Sequence, residues 1–301
     1  MNAMGFRLVI GALLVCLAGG AAMGAPFEQR LDLHVNGERW LGTMHTPYTE
    51  GFEEPTNKVY THLYDFDGYD VITKDHIGRF CHHRGLFIGW NHTNIGEERY
   101  DTWHMRGATQ QHQDWTALGG GDDHAYQEQV IHWIDDDGAA FIEEVRRIEA
   151  RPGPDGVRII DFSSTLTALE DDIELRGDSH HAGMQIRLHD EVTQHEETTE
   201  YYLQPGGEEI ENDEVLDAWW VMCSAEVGGE RYWVVHMTPP DHPTGLPMYS
   251  IRRYARFGAF FEPDLTAGEP KAFQFRIAVS ESELSMDDAI ALYEEYAGTT
   301  E

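Results

Sequence analysis

Short runs of alternating apolar and polar residues, separated by glycine, proline and aspartate, fill the chain from residue 27 onward. Successive side chains of a strand point to opposite faces, so such runs predict β-strands with one buried face. Segment 30–35 (RLDLHV) leads into Asn36-Gly37, a pair suited to the positive φ angles of a tight hairpin, and 39–44 returns antiparallel to it. Further strands are expected at 59–64, 71–73, 126–134, 140–148, 157–170, 174–188, 218–225, 231–237 and 272–279, with turns at 65–70, 135–138 and 152–156. Segment 92–121 carries few aliphatic residues and reads as a long polar and aromatic loop, and 190–214 as an acidic excursion without a clear element. Helical spacing occurs at 285–296, where Ser285 stands three residues before Asp288 and Met286, Ala289, Ile290 and Tyr293 form an apolar stripe. The pattern predicts a single all-β domain over 26–301, a large antiparallel β-sandwich with one C-terminal helix.

Two of the strands open on paired histidines. In 80–91 (FCHHRGLFIGWN), strict alternation puts His82, Arg84, Leu86, Ile88 and Trp90 on one face and His83, Gly85, Phe87, Gly89 and Asn91 on the other. On that reading His82 and His83 serve one site only if the strand is bulged there. In HHAGMQIRL, His181, Gly183, Gln185 and Arg187 share a polar face, which predicts a sheet with a solvated concave side.

Charge narrows the partners. Asp and Glu total 54 against 21 Lys and Arg, a formal net charge of −33, which repels nucleic acid and anionic membranes. Such a surface reads as adaptation to salt. Residues 1–25 have the pattern of a secretory signal: Arg7, an apolar run over 8–17, then small residues through Ala25, with cleavage near Gly24 or Ala25. This predicts a secreted or periplasmic protein without a membrane span after cleavage. Cys16 follows Val15 inside the apolar run, a poor fit to a lipid anchor. Cys81 and Cys223 are open to a disulfide or to two buried thiols.

Five stretches together resemble one family: THLYDFDG at 61–68, HHRGLFIGW at 82–90, Gly183-x-Gln185-x-Arg187, Asp241-His242-Pro243, and an RxYxxFG-like segment at 253–258. The chain resembles the DUF6807 family, often labelled "methane oxygenase PmoA-like". The resemblance implies an exported bacterial protein found beside glycan-degrading enzymes. The oxygenase label itself does not suit a chain without membrane-spanning segments. Thr244-Gly245 stands where the family commonly has an Asn after Asp-His-Pro, so no role transfers to that position.

A sugar site combines aromatic faces, forked amide and guanidinium donors, and an acid/base pair. The expected catalytic residues are His83 and His181 as proton donor and acceptor, assisted by Asp241 and His242. His82, Arg84, Trp90, Trp103, Gln185, Arg187 and Arg253 are expected to bind substrate. Each has a plain structural alternative: a hydrogen-bonded core histidine for His83, an ion pair for Arg187, a strand-end residue for His236. Arg252, Arg253 and Arg256 form a local cationic patch suited to an anionic sugar. The chemistry expected is glycosidic cleavage by hydrolysis or β-elimination, on a supersandwich of the galactose-mutarotase kind by fold analogy. Two alternatives remain: a non-catalytic glycan-binding or structural export, and a metal-dependent enzyme with a His-rich site. No cofactor is expected; a divalent metal belongs to that last alternative, because no His-x-His, His-x₃-His or Glu-x-x-His spacing sits on a suitable element. Gly-x-Ser-x-Gly, phosphate-loop and dinucleotide motifs do not occur.

Overall fold

The computed structural model describes residues 28–178 and 180–299; the signal-like segment 1–25 lies outside them. The expected all-β architecture is observed, as three antiparallel sheets and one long C-terminal helix. An eight-stranded sheet runs in the spatial order Glu200–Leu203, Trp220–Val227, Glu230–Met237, Lys271–Ser280, Arg158–Ala168, Ala140–Pro152, Ala125–Asp135, Ala108–Gly120. A nine-stranded sheet runs Arg30–Val35, Glu38–Met44, Tyr60–Leu63, Leu86–Trp90, Ala182–Arg187, Arg256–Phe260, Met248–Ser250, Glu214–Leu216, Glu208–Ile210. A small sheet joins His92–Ile95 and Glu98–Tyr100 to Ile173–Arg176 and Asp264–Leu265.

The main core lies between the two large sheets. Leu86, Ile88, Trp90, Met184, Ile186 and Phe257 of one meet Ile131, Trp133, Ile142, Phe162 and Phe275 of the other. Burying side chains of this size contributes about 1.5–3 kcal/mol each. The helix Met286–Thr299 covers the outer side of the eight-stranded sheet, with Ala289, Leu292 and Tyr296 on Trp220, Met222 and Val235. Its capping residues act as the spacing predicts: Ser285 N–H donates to Asp288 Oδ2 at 2.8 Å, and Asp288 N–H donates back to Ser285 Oγ at 3.2 Å. The Asn36-Gly37 hairpin is also present, with φ of 54° and 84°.

Four expectations are corrected. The histidine-led strand begins at Leu86, because 80–83 forms a turn closed by His83 N–H on Phe80 O at 2.9 Å. The 92–121 loop contains two short strands and the thirteen-residue strand Ala108–Gly120. That strand was hidden because it is a polar sheet edge with two bulges, which break the alternation. Segment 190–214 holds three 3₁₀ turns and all or part of three strands. The polar face of Ala182–Arg187 is not solvated: all six residues are buried, because loops close over it. Cys81 and Cys223 are both free thiols. Among the described residues no helix is long and apolar enough to cross a membrane.

Candidate active site

Lys58 assembles the site. Its buried ammonium donates to the carbonyls of His82, at 3.0 Å, and Trp103, at 2.6 Å, and lies 4.7 Å from the centroid of the Phe87 ring. Two loops distant in sequence are thereby held over one face of the Leu86–Trp90 strand. Burial, with neighbouring Arg84, pushes the Lys58 pKa well below its usual value. The second loop also docks through main-chain bonds from Thr102 and Trp103 N–H to Trp90 O, at 2.9 and 3.1 Å. Gly89 makes that approach possible, since a Cβ there would lie 2.5 Å from Thr102 O. Gly183, at φ 87°, does the same on the neighbouring strand, where a Cβ would fall 2.0 Å from Ala259 O.

Over this face two histidine–aspartate pairs confront each other. His104 Nδ1 bonds Asp101 Oδ2 at 2.8 Å, and His181 Nδ1 bonds Asp178 Oδ1 at 2.6 Å. The two rings stand 4.8 Å apart, centroid to centroid, with His82 a further 4.3 Å from His104. Each aspartate also accepts main-chain N–H groups, Trp103 and His104 on Asp101 and His180 on Asp178, so both carboxylates are fixed before the imidazoles dock. Burial raises Asp101, but its bonds with His104 outweigh that and hold it below the usual carboxylate value. Asp178 is held low against burial by the His180 N–H and by His181. With Nδ1–H donated to a carboxylate, each Nε2 carries the free lone pair of a general base. Burial lowers the His181 pKa despite Asp178, so the ring is neutral at neutral pH. The pairs border an open cleft of about 480 Å³, rimmed by Asn91, Arg99, Tyr100 and Arg106.

The expected site residues divide. His82, His83, Trp103, His181, Gln185 and Arg187 gather on this one face. His82 and His83 lie on the same side after all, since neither is in the strand. His82 is depressed to about 2 by burial, then by Lys58 and His104, which makes it a weak base. His83 is 2% exposed and stacked among Phe87, Phe80 and Tyr254, away from the cleft rim, so His181 faces His104 in its place. Trp103 is fully buried and forms the floor between His83 and His181, without a face for a sugar.

The remaining expected residues lie elsewhere. Trp90 is a core residue, its indole N–H donated to Phe261 O at 2.7 Å, and cannot stack on a ligand. Arg84 turns away to Glu54, at 3.2 Å, and Cys81 O, at 2.6 Å. Arg253 is exposed and reaches Thr199 O at 3.4 Å. His242 packs edge-on against Phe261, 4.8 Å between centroids, and Asp241 beside it is exposed; among the described residues no contact joins either to the cleft. The residues missed, Asp101, His104 and Asp178, had a signal: Asp-x-x-His occurs at 101–104 and again at 178–181. Among the described residues no group of three or more His, Cys, Asp or Glu side chains is arranged to hold a metal ion.

A sequence model described as "Family of unknown function (DUF6807)" matches residues 30–294. No curated protein matches the chain. Among solved structures, a protein described as a kojibiose phosphorylase from human microbiome aligns with TM-score 0.35 and 10% identity, covering 87% of this chain and 32% of that one. A polysaccharide lyase aligns with TM-score 0.37 and 12% identity, covering 91% of this chain and 35% of that one. The chain thus spans about a third of the length of these two structures.

Proposed function

The chain belongs to the DUF6807 family, and we propose that in it the two facing histidine–aspartate pairs form the acid/base centre of a carbohydrate-cleaving enzyme. The observation that carries this reading is the 4.8 Å separation of the His104 and His181 rings, each with its Nδ1 held by an aspartate. One neutral imidazole takes a proton through Nε2 while the other, protonated, delivers one to the leaving oxygen. The aspartates fix both tautomers and stabilise the imidazolium that forms, so the two roles interchange over a cycle. Arg99 and Arg106 at the rim supply forked donors for sugar hydroxyls, and Tyr100 an aromatic face, while the Asn91 amide is taken up by Asp178.

The close spacing favours β-elimination over inverting hydrolysis. Elimination moves protons at adjacent positions of one sugar unit, whereas inverting hydrolysis places a water between two groups roughly 6.5–9.5 Å apart. The signal-like segment 1–25 supports action after export, testable by N-terminal sequencing of protein recovered outside the cytoplasm. The deciding experiment is mass spectrometry of products from neutral, uronic and sulfated glycans, with and without chelator. Unsaturated products that vanish in His104→Ala and His181→Ala are the expected result. Products that have gained water would shift the chemistry to hydrolysis. Loss of turnover with chelator would replace the acid/base centre by a metal centre. Binding with no product from any glycan would overturn catalysis and leave a glycan-binding protein.

A further inference from the structure

We infer that the unanswered buried polar groups of His83, Arg187 and Arg256 bind the carboxylate of a uronic acid unit. This rests on the acid/base reading of the adjoining cleft and adds the substrate's charge to it.

Arg187 and Arg256 are directly opposed in the register of neighbouring strands, and both are buried, at 0% and 1% exposure. Like charges placed opposite each other on a sheet repel, and burying a guanidinium without an anion is costly. Arg187 has one carboxylate, Asp190, at 2.9 Å through Nη2, and Asp190 is shared with Lys74 at 3.4 Å. Arg256 has none among the described residues; its Nη1 donates to Gln185 Oε1 at 3.0 Å and Ser250 Oγ at 3.1 Å, both neutral. In a chain with 54 acidic residues, this shortage at two buried arginines is a specific feature of the place.

The unused polar atoms there are almost all donors. Arg187 Nε and Nη1, Arg256 Nε and the Trp103 indole nitrogen are buried without an acceptor, and both ring nitrogens of His83 are unpartnered. Ring contacts bring them together in one place. The Arg187 guanidinium lies 4.7 Å from the Tyr254 centroid, and Tyr254 stacks on His83 at 6.2 Å. His83 meets Trp103 at 5.7 Å, and Arg256 comes within 5.8 Å of the Trp103 ring. A planar carboxylate accepts from two guanidinium forks at once, which would satisfy these donors and cancel the repulsion. Burial and then Arg256 keep His83 neutral, so it serves there as a donor or acceptor without adding charge.

Trp103 also touches His181, at 5.7 Å, so an anion held over it lies beside the two histidine–aspartate pairs. A carboxylate fixed next to the centre of proton transfer is what β-elimination from a uronate needs, because neutralising it acidifies the adjoining C–H. In that step the base takes this hydrogen, the C–H pair becomes the C=C bond, and the leaving oxygen departs with the proton supplied by the second imidazole. Half-buried Phe80 and Tyr254, stacked at 5.3 Å, lie over His83 on the outer side. Phe80 has φ 57°, a conformation costly for a residue other than glycine and characteristic of functional segments.

The test is calorimetric binding of an oligogalacturonate, a glucuronate-containing oligosaccharide, their carboxyl-reduced counterparts, and inorganic sulfate and phosphate, to the wild-type mature chain. A clear preference for either uronate over its reduced counterpart is expected. In Arg256→Met that preference should fall by about 100-fold or more, while the melting temperature of the unliganded protein rises because a buried like-charge contact is gone. His181→Ala should retain uronate binding. Equal affinity for uronate and reduced glycan, or no binding of either, would overturn the carboxylate subsite, and the acid/base reading would still be decided by the products of neutral glycans. Binding of the inorganic anions without a uronate preference would reduce the place to an inorganic ion site and overturn the inference. A lowered melting temperature in Arg256→Met with the preference intact would make Arg256 structural. Should Arg256→Met fail to fold, the wild-type comparison decides alone.

Discussion

Two buried arginines, one in each large sheet, are satisfied in opposite ways. In the eight-stranded sheet, Arg146 is buried with every donor answered: Nε and Nη2 on Glu144 at 2.7 and 2.9 Å, Nη1 on Val59 O at 2.8 Å. Glu144 in turn accepts from the Trp133 indole at 2.9 Å and Ser164 Oγ at 2.8 Å, so the network is closed. In the nine-stranded sheet, Arg256 is as deeply buried, yet no carboxylate among the described residues reaches it and its Nε has no acceptor. A closed network holds a core together, whereas donors of a single sign left unanswered are what the proposed carboxylate would satisfy.

The sharpest way to break this contrast is to remove the proton-transfer groups. His181→Ala or Asp178→Asn should lower turnover by roughly 10²–10⁴-fold with little change in glycan affinity, measured by steady-state kinetics and calorimetry. Asp241→Asn, in a region that no contact among the described residues links to the cleft, should leave turnover unchanged. Next comes the closed network: Glu144→Ala leaves Arg146 buried and unpaired and should cost about 3–5 kcal/mol in urea unfolding, opposite in sign to Arg256→Met. A fall in stability of similar size in both variants would erase the distinction between the two arginines.

Acid should weaken both sheets together. Burial depresses His236 to about 3 and His62 and His242 to about 4, from the ordinary 6.5, and His82 to about 2. Between pH 6.5 and about 4 the unfolded chain binds protons that these folded sites refuse, so stability falls as pH drops through that window. Each site can contribute up to ~1.4 kcal/mol per pH unit. Urea midpoints that stay level from pH 7 to pH 4.5 would contradict the buried, neutral state of these rings. The smallest effect is that of salt. With a net charge of −33, screening should raise stability by about 1 kcal/mol or less between dilute buffer and molar salt, read as a higher melting temperature. A lower melting temperature in salt would remove the salt-adapted reading.

The same contrast explains what could be read from the chain. Strands such as Ala125–Asp135, with alternating buried and half-exposed positions, announce themselves because one face meets water and the other the core. Leu86–Trp90 and Ala182–Arg187 are buried on both faces, so alternation could locate them but could not say that loops lie over the polar side. The alternation within 86–90 does hold: Leu86, Ile88 and Trp90 enter the main core while Phe87 joins Tyr60 and Trp103. It fails one turn earlier, where 80–83 leaves the strand and His82 joins His83 on one side.

Sequence alone determined the all-β class, the hairpin at Asn36-Gly37, the capped C-terminal helix and the family resemblance. These are local properties: period, turn chemistry, capping and motif, each set by neighbours along the chain. Only the tertiary structure decided that His104 confronts His181, that Trp90 and the Asp241–His242 pair lie away from the cleft, and that Arg187 faces Arg256. The physical reason is Lys58, with Gly89 and Gly183. One buried ammonium bonded to two distant carbonyls, and two backbones able to touch because no Cβ intervenes, are long-range contacts that spacing along a strand does not encode.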